Sequence, residues 1–102
     1  MMLGNAFFRI LSVDLKVRLG EWDTQSEEDH PSLKHSDYGV QRIVYHPHYQ
    51  ATNVWNDVAL LFLNDTVKLN YHINTICLPE EGEVFHGETC YASGWGKDNF
   101  GE

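Results

Sequence analysis

Basic residues are scarce in this chain: 7 Lys+Arg stand against 15 Asp+Glu, giving a net charge of -8 over 102 residues. Nucleic acid and anionic lipid are recognised through positive patches, so neither is an expected partner. Long apolar runs are also missing. The longest, Val58 to Leu63, falls far short of the roughly 20 residues that a membrane-spanning helix needs. Cysteine is limited to Cys77 and Cys90, without CxxC spacing, which excludes a multi-disulfide scaffold and the usual zinc and redox motifs. These two could be buried thiols, a pair with each other, or bonded to something else. The N-terminal stretch MMLGNAFFRIL has no basic start and is interrupted by Arg9, so no cleavable signal peptide is expected there. No internal repeat, heptad or low-complexity tract is present.

What is present is the composition of one small globular domain, 42% hydrophobic and 22% charged, which argues against wholesale disorder. From Leu11 to Leu19 every second residue is apolar, with Ser12, Asp14, Lys16 and Arg18 between them. This period of two predicts a strand with one buried face. Glu21 to Asp37 is acidic and nearly free of apolar residues, and predicts a long surface loop. Tyr38 to Tyr45 (YGVQRIVY) is rich in β-branched and aromatic residues and stops at His46-Pro47. A second strand is expected, with a bulge or two buried faces behind its imperfect alternation. Val58 to Leu63, bracketed by Asn56-Asp57 and Asn64-Asp65, predicts a short core strand. Val67 to Pro79 is expected to be extended and irregular, Glu80 to Glu83 a polar turn, and Glu88 to Gly96 (ETCYASGWG) one more strand. The expected class is all-β.

Several residues invite a chemical reading. His46-Pro47-His48 has no third ligand at metal spacing, so a metal is not expected there. Ser93 in YASGW lacks the glycines of a nucleophile elbow and is expected to be an ordinary hydroxyl. Glu21, Asp23, Glu27, Glu28 and Asp29 supply carboxylates for a weak calcium candidate, without the spacing of a helix-loop-helix site. Asn64-Asp65-Thr66 is an N-glycosylation acceptor pattern, with Asn64 as the candidate site. Asp57 in VWNDVALLFLND is the most pointed feature, because an ionised carboxylate at the mouth of an apolar run is costly unless it is solvated or hydrogen-bonded. On its own it is a turn residue at a strand entrance.

The order of motifs changes that reading. LKVRLGEWD, IVYHPHY, NDVALLFL, ICLP and CYASGWGK, in this succession, resemble the chymotrypsin/trypsin-like (S1) serine proteases from about Leu15 onward. KVRLGEWDTQ and GWGKDNFGE further resemble the arthropod clip-domain serine proteases, particularly their non-catalytic homologues that assist prophenoloxidase activation. The resemblance implies a double β-barrel, here incomplete: later strands of the first barrel, the crossover, and the first strand of the second. Residues 1–14 would be an atypical segment in place of the family's histidine motif, and residues 15–102 a partial protease-like domain. Asp57 matches the aspartate that fixes the tautomer of the catalytic histidine. The His and Ser partners are not in the sequence, nor are the oxyanion hole and specificity pocket, so no proteolysis is expected from this polypeptide alone.

The same resemblance places Cys77 where the family ties its catalytic domain to a propeptide or regulatory chain, and Cys90 where it bonds to the second barrel. A Cys77–Cys90 bond is the alternative. It aligns Glu21 with one calcium ligand of some members, whereas His30-Pro31 stand near the loop's far end where those members place a second glutamate. No other cofactor is expected. The implied setting is extracellular, with protein partners of a protease cascade and the missing parts of the chain's own double-barrel domain. Two other readings compete: a truncated active trypsin-like endopeptidase, and a small all-β binding module without catalysis.

Overall fold

A computed structural model describes residues 11–25 and 33–97. The described chain is built on a three-stranded antiparallel sheet in the order β1-β2-β3. Here β1 is Lys16–Leu19, β2 is Ser36–Tyr45 and β3 is Ala59–Leu63. No α-helix occurs among the described residues, as the all-β expectation requires.

β2 begins two residues before the predicted strand and carries the anticipated bulge. Val40 pairs with Leu63 and Arg42 with Phe62, leaving Gln41 as the extra residue between them. A bulge inverts the parity of a strand, and the burial follows: Tyr38 and Val40 turn inward before it, Ile43 and Tyr45 after it. Val40, 4% exposed, and Ile73, 6% exposed, are the buried hydrophobic residues among those described.

The bulge also explains why the first strand is shorter than its alternation predicts. Lys16 pairs with Gly39, so continuing the ladder toward the N-terminus would set Asp14 against Gln41, where β2 bends away. Residues Ser12–Asp14 instead form a single 3-10 turn. Its backbone groups are satisfied locally, by Asp14 N–H to Leu11 O at 3.0 Å and Leu15 N–H to Ser12 O at 3.2 Å. Val13, predicted to be inward, is exposed.

β3 departs from expectation in another way. It is a strand, beginning one residue after the predicted start, but among the described residues it pairs only with β2 and stands at the edge of the sheet. Leu60, Leu61 and Phe62 are 62%, 43% and 41% exposed. Adjacent residues of a strand point to opposite faces, so both faces of β3 are uncovered and the expected core strand is corrected to an open edge. Arg42 meets part of this surface, with its guanidinium carbon 4.2 Å from the centre of the Phe62 ring.

The irregular segment expected from Val67 to Pro79 is tied back at two points and carries a bridge of its own. Lys68 N–H donates to the Tyr38 hydroxyl at 3.1 Å, Asn70 and Ile73 form an isolated bridge, and His72 Nε2 lies 2.8 Å from the Lys34 carbonyl oxygen. This last contact rests on Gly20, where φ is +76° and an added Cβ would come within 2.5 Å of the His72 ring and 2.8 Å of Ile73. Only glycine takes that backbone conformation without strain while admitting so close a neighbour.

Glu80 to Glu83 closes as the expected polar turn, with Glu83 N–H to Glu80 O at 3.1 Å. Glu88 to Gly96, in contrast, is not a strand. Its β-rich composition has no neighbouring edge to pair with among the described residues, and a strand is stabilised by its cross-strand pairs. One side-chain bond anchors it, from Trp95 Nε1 to the Trp22 carbonyl at 3.0 Å. The acidic loop ends earlier than predicted, because Ser36 and Asp37 belong to β2; residues 26–32 lie outside the described residues.

Two outcomes follow from this packing. With so much apolar side chain uncovered, the purified chain should bind an apolar fluorescent dye at neutral pH and unfold in urea over a broad range; a dye-dark, steep two-state transition would contradict the open sheet. Gly20→Ala should lower amide-exchange protection at Ile73 by about tenfold or more, equivalent to about 1.4 kcal/mol; unchanged protection would show that the Gly20–His72 contact contributes nothing.

Candidate functional site

Asp57 lies at the base of the excursion that joins β2 to β3. His46 N–H donates to Val58 O at 3.1 Å, extending the β2–β3 ladder by one rung and closing the excursion. Within it, Gln50 N–H bonds to Trp55 O at 3.0 Å, Trp55 N–H to Asn53 Oδ1 at 3.1 Å, and Asn56 Nδ2 to His48 O at 2.9 Å. These bonds account for the composition of the segment: Asn side chains substitute for backbone partners where the chain turns sharply. Asn56 itself has φ of 57°, a conformation that asparagine tolerates, whereas Val54 at φ 59° is strained.

The turn immediately around Asp57 is tighter still. Val58 N–H donates to Asn56 O at 2.8 Å, a three-residue turn with Asp57 at its centre. Such a turn directs the central side chain outward. Asp57 is exposed, and no hydrogen bond to its carboxylate occurs among the described residues. The carboxylate is open to solvent, and the apolar neighbours Val58 and Leu60 are exposed as well.

The histidines nearest in sequence are otherwise engaged. His46 Nδ1 accepts the His48 N–H at 3.0 Å, and the two rings stand 5.8 Å apart at 53°. Ser93 is exposed in the irregular C-terminal stretch, distant in sequence from the Asp57 turn. Cys77 and Cys90 are both exposed free thiols, so the alternative of a bond between them is not realised in this structure. Asn64 is exposed, but its Nδ2 lies where a Cβ on Gly39 would come within 2.5 Å, and its backbone N–H bonds to Gly39 O at 2.9 Å. Beside it, Ser12, Val13, Leu15, Lys16, Val40 and Gln41 line a shallow cavity of about 360 Å³.

A second cluster escaped the sequence reading. Arg18 and Asp37 are directly opposite in the β1–β2 register, and the guanidinium meets the carboxylate with two parallel bonds, Nε to Oδ1 at 2.9 Å and Nη2 to Oδ2 at 3.2 Å. Arg18 also reaches Glu21 Oε2 at 3.4 Å, and His35 Nδ1 lies 3.2 Å from the same oxygen. Hydrogen bonds from Arg18 hold the Asp37 carboxyl below its ordinary value, aided by the charges of Arg18, His35 and Lys16 and opposed by desolvation. Arg18 is raised in turn, first by its bond to Asp37. Alternation alone could have placed Arg18 and Asp37 on outward faces. Only the register put them opposite one another.

With this geometry established, comparison with known proteins is informative. The family model described as Trypsin matches residues 10–102. The chain belongs to the trypsin family. This trypsin-family chain is 45% identical over 89 residues to the Inactive CLIP domain-containing serine protease A3 of Aedes aegypti, covering 84% of this chain and 18% of that protein. It is 38% identical over 85 residues to the Inactive CLIP domain-containing serine protease A28 of Anopheles gambiae, covering 83% of this chain and 22% of that protein. It is also 38% identical over 89 residues to Phenoloxidase-activating factor 2 of Galleria mellonella, with 86% of this chain and 29% of that protein covered. The chain thus spans between 18% and 29% of the length of these relatives. The resemblance to clip-domain serine proteases and their homologues is thereby established, and the three-stranded antiparallel sheet is consistent with a partial trypsin-like barrel.

The charge cluster generates a pH prediction. A carboxyl whose folded value is depressed stabilises the fold wherever it is ionised, and this contribution disappears as pH falls through the folded value. Asp37→Asn should therefore lower amide protection across β1 and β2 at neutral pH. The difference from the unaltered chain should close as the pH falls below the ordinary value of 3.8. A gap that persists undiminished to about pH 2 would exclude the ionised pair as its source.

Proposed function

We propose that this trypsin-family chain is part of a secreted clip-domain serine protease homologue that acts as a binding scaffold in an extracellular protease cascade, such as prophenoloxidase activation. The observation that carries this reading is the 45% identity to a relative whose own name includes Inactive, across 84% of this chain. A relative named Phenoloxidase-activating factor 2 supports the choice of cascade.

In this reading Asp57 is the family's orienting aspartate. In a complete domain such a carboxylate accepts the Nδ1 hydrogen of a histidine and holds the tautomer whose other nitrogen can deprotonate a serine. The exposed position of Asp57 and the tight turn that presents it support a carboxylate turned toward a neighbouring element. Cys77 and Cys90, both exposed, are then half-cystines whose partners lie in a regulatory chain and in the second barrel. The uncovered faces of β3 are the surface against which the rest of the double barrel packs.

A second reading is favoured by a specific observation. Serine protease ea of Drosophila melanogaster is 38% identical over 96 residues, covering 79% of this chain and 24% of that protein, and its name carries no such qualifier. Sequencing the transcript on both sides of this segment decides between them. Glycine at the position of the catalytic serine supports the scaffold, whereas serine together with the upstream histidine motif establishes an active endopeptidase.

For the polypeptide itself, we predict no cleavage of arginine or aromatic chromogenic peptides above background. Removing triad members costs orders of magnitude in rate, and in this reading Asp57 is the one triad member among these 102 residues. Robust turnover by the purified chain would refute inactivity, and turnover that survives Asp57→Ala would refute the role given to Asp57.

A further inference from the structure

We infer that Asn64 is the acceptor of an asparagine-linked oligosaccharide and that the fold accommodates the sugar at the end of β3. The inference rests on the secreted setting proposed above. Asn64-Asp65-Thr66 is the one Asn-x-Ser/Thr triplet among the 102 residues, and it sets an asparagine amide two residues before a hydroxyl, as the acceptor pattern requires. Such triplets also arise by chance. The structure separates this asparagine from the others.

Asn53, Asn56, Asn70 and Asn74 all commit their side chains to hydrogen bonds. Asn53 Nδ2 donates to Gln50 Oε1 at 2.9 Å and its Oδ1 accepts the Trp55 N–H, while Asn56 Nδ2 donates to His48 O. Asn70 Oδ1 and Asn74 Oδ1 each accept the N–H of the next residue at 2.8 Å. These four side chains hold turns. No hydrogen bond to the Asn64 side chain occurs among the described residues. Asn64 is held by its backbone, through the N–H bond to Gly39 O at 2.9 Å directly after β3 ends at Leu63. Modifying Nδ2 therefore breaks no hydrogen bond among the described residues.

The surroundings leave room. Asn64, Asp65 and Thr66 are all exposed. The residue across the sheet is Gly39, where an added Cβ would come within 2.5 Å of Asn64 Nδ2, so a glycine there keeps the amide uncrowded. The shallow cavity that Asn64 lines also includes Ser12, Lys16 and Gln41, whose side chains carry donors and acceptors suited to sugar hydroxyls.

The modification is a group transfer from a lipid-linked oligosaccharyl diphosphate. Asn64 Nδ2 attacks the anomeric carbon of the first sugar, and the new C–N bond forms as the anomeric C–O bond breaks. One Nδ2 proton passes to a base of the transferring enzyme, and the lipid diphosphate leaves. Oδ1 stays a carbonyl oxygen, and no oxidation or reduction takes place.

The test expresses the full 102-residue chain in insect cells behind an added cleavable signal peptide, so that entry into the secretory pathway does not depend on the proposed setting of the native protein. Removal of the signal peptide verifies entry, and both lysate and medium are read. The chain should show one slower-migrating species that a glycosidase specific for asparagine-linked sugars collapses. Asn64→Gln and Thr66→Ala should each abolish it, and Thr66→Ser should retain it. A processed chain without that species would overturn the inference, and so would a species that survives Asn64→Gln. Amide exchange tests the second half. Protection at Arg42, Ile43 and Val44, which pair with β3, should agree within about threefold between the glycosylated chain and Asn64→Gln. A loss of about tenfold or more in the glycosylated chain would show that the fold does not accommodate the sugar. The secreted setting fails separately, if the full native transcript encodes no route to secretion, and that result leaves the acceptor result intact.

Discussion

β2 is the strand on which both other strands depend, and its bulge at Gln41 is the constraint that orders the rest. β2 pairs with β1 only before the bulge, and all its pairs with β3 except Val40–Leu63 come after it. That division follows from backbone geometry, since an extra residue bends and twists the strand that carries it. It ends the β1 ladder at Lys16, turns the preceding residues into a 3-10 turn, and restores inward positions to Ile43 and Tyr45. Val40, at the junction, is buried because both neighbours converge there.

The charged cluster is the second consequence of this register. Arg18 and Asp37 face each other only because Lys16 is opposite Gly39, and the remaining guanidinium nitrogen then meets Glu21 as the chain leaves β1. His35 approaches the same carboxylate from the beginning of β2. An acidic chain with few cations thereby sets one of them, Arg18, between two carboxylates, Asp37 and a Glu21 side chain that is 4% exposed. The effect is local: it secures where the loop leaves and where it returns.

Asp57 illustrates how a residue's environment differs from its sequence neighbourhood. Six apolar residues follow it, yet the strand they form is an edge with both faces uncovered. The aspartate is solvated, and its position is set by the short turn from Asn56 to Val58 and by the Asn-mediated bonds of the β2–β3 excursion. A local framework thus presents the carboxylate through bonds made within the excursion itself.

The sequence by itself determined β2, the location of β3, the irregular stretch after it, the turn at Glu80 to Glu83, and the family, through the order of LKVRLGEWD, NDVALLFL and GWG; the bulge was one of two readings that the alternation of β2 left open. These are legible because side-chain period, turn formers and motif order are properties of neighbouring residues. The tertiary structure alone decided that Leu11 to Leu15 leave the strand, that Glu88 to Gly96 form none, that β3 is exposed, and that Arg18, Glu21, His35 and Asp37 converge. Alternation indicates which face of a strand would be buried, not whether another element covers it or pairs with its edge. Contacts between residues 19 apart, such as Arg18 and Asp37, depend on register, which a bulge or a change of pairing can shift without altering any local pattern.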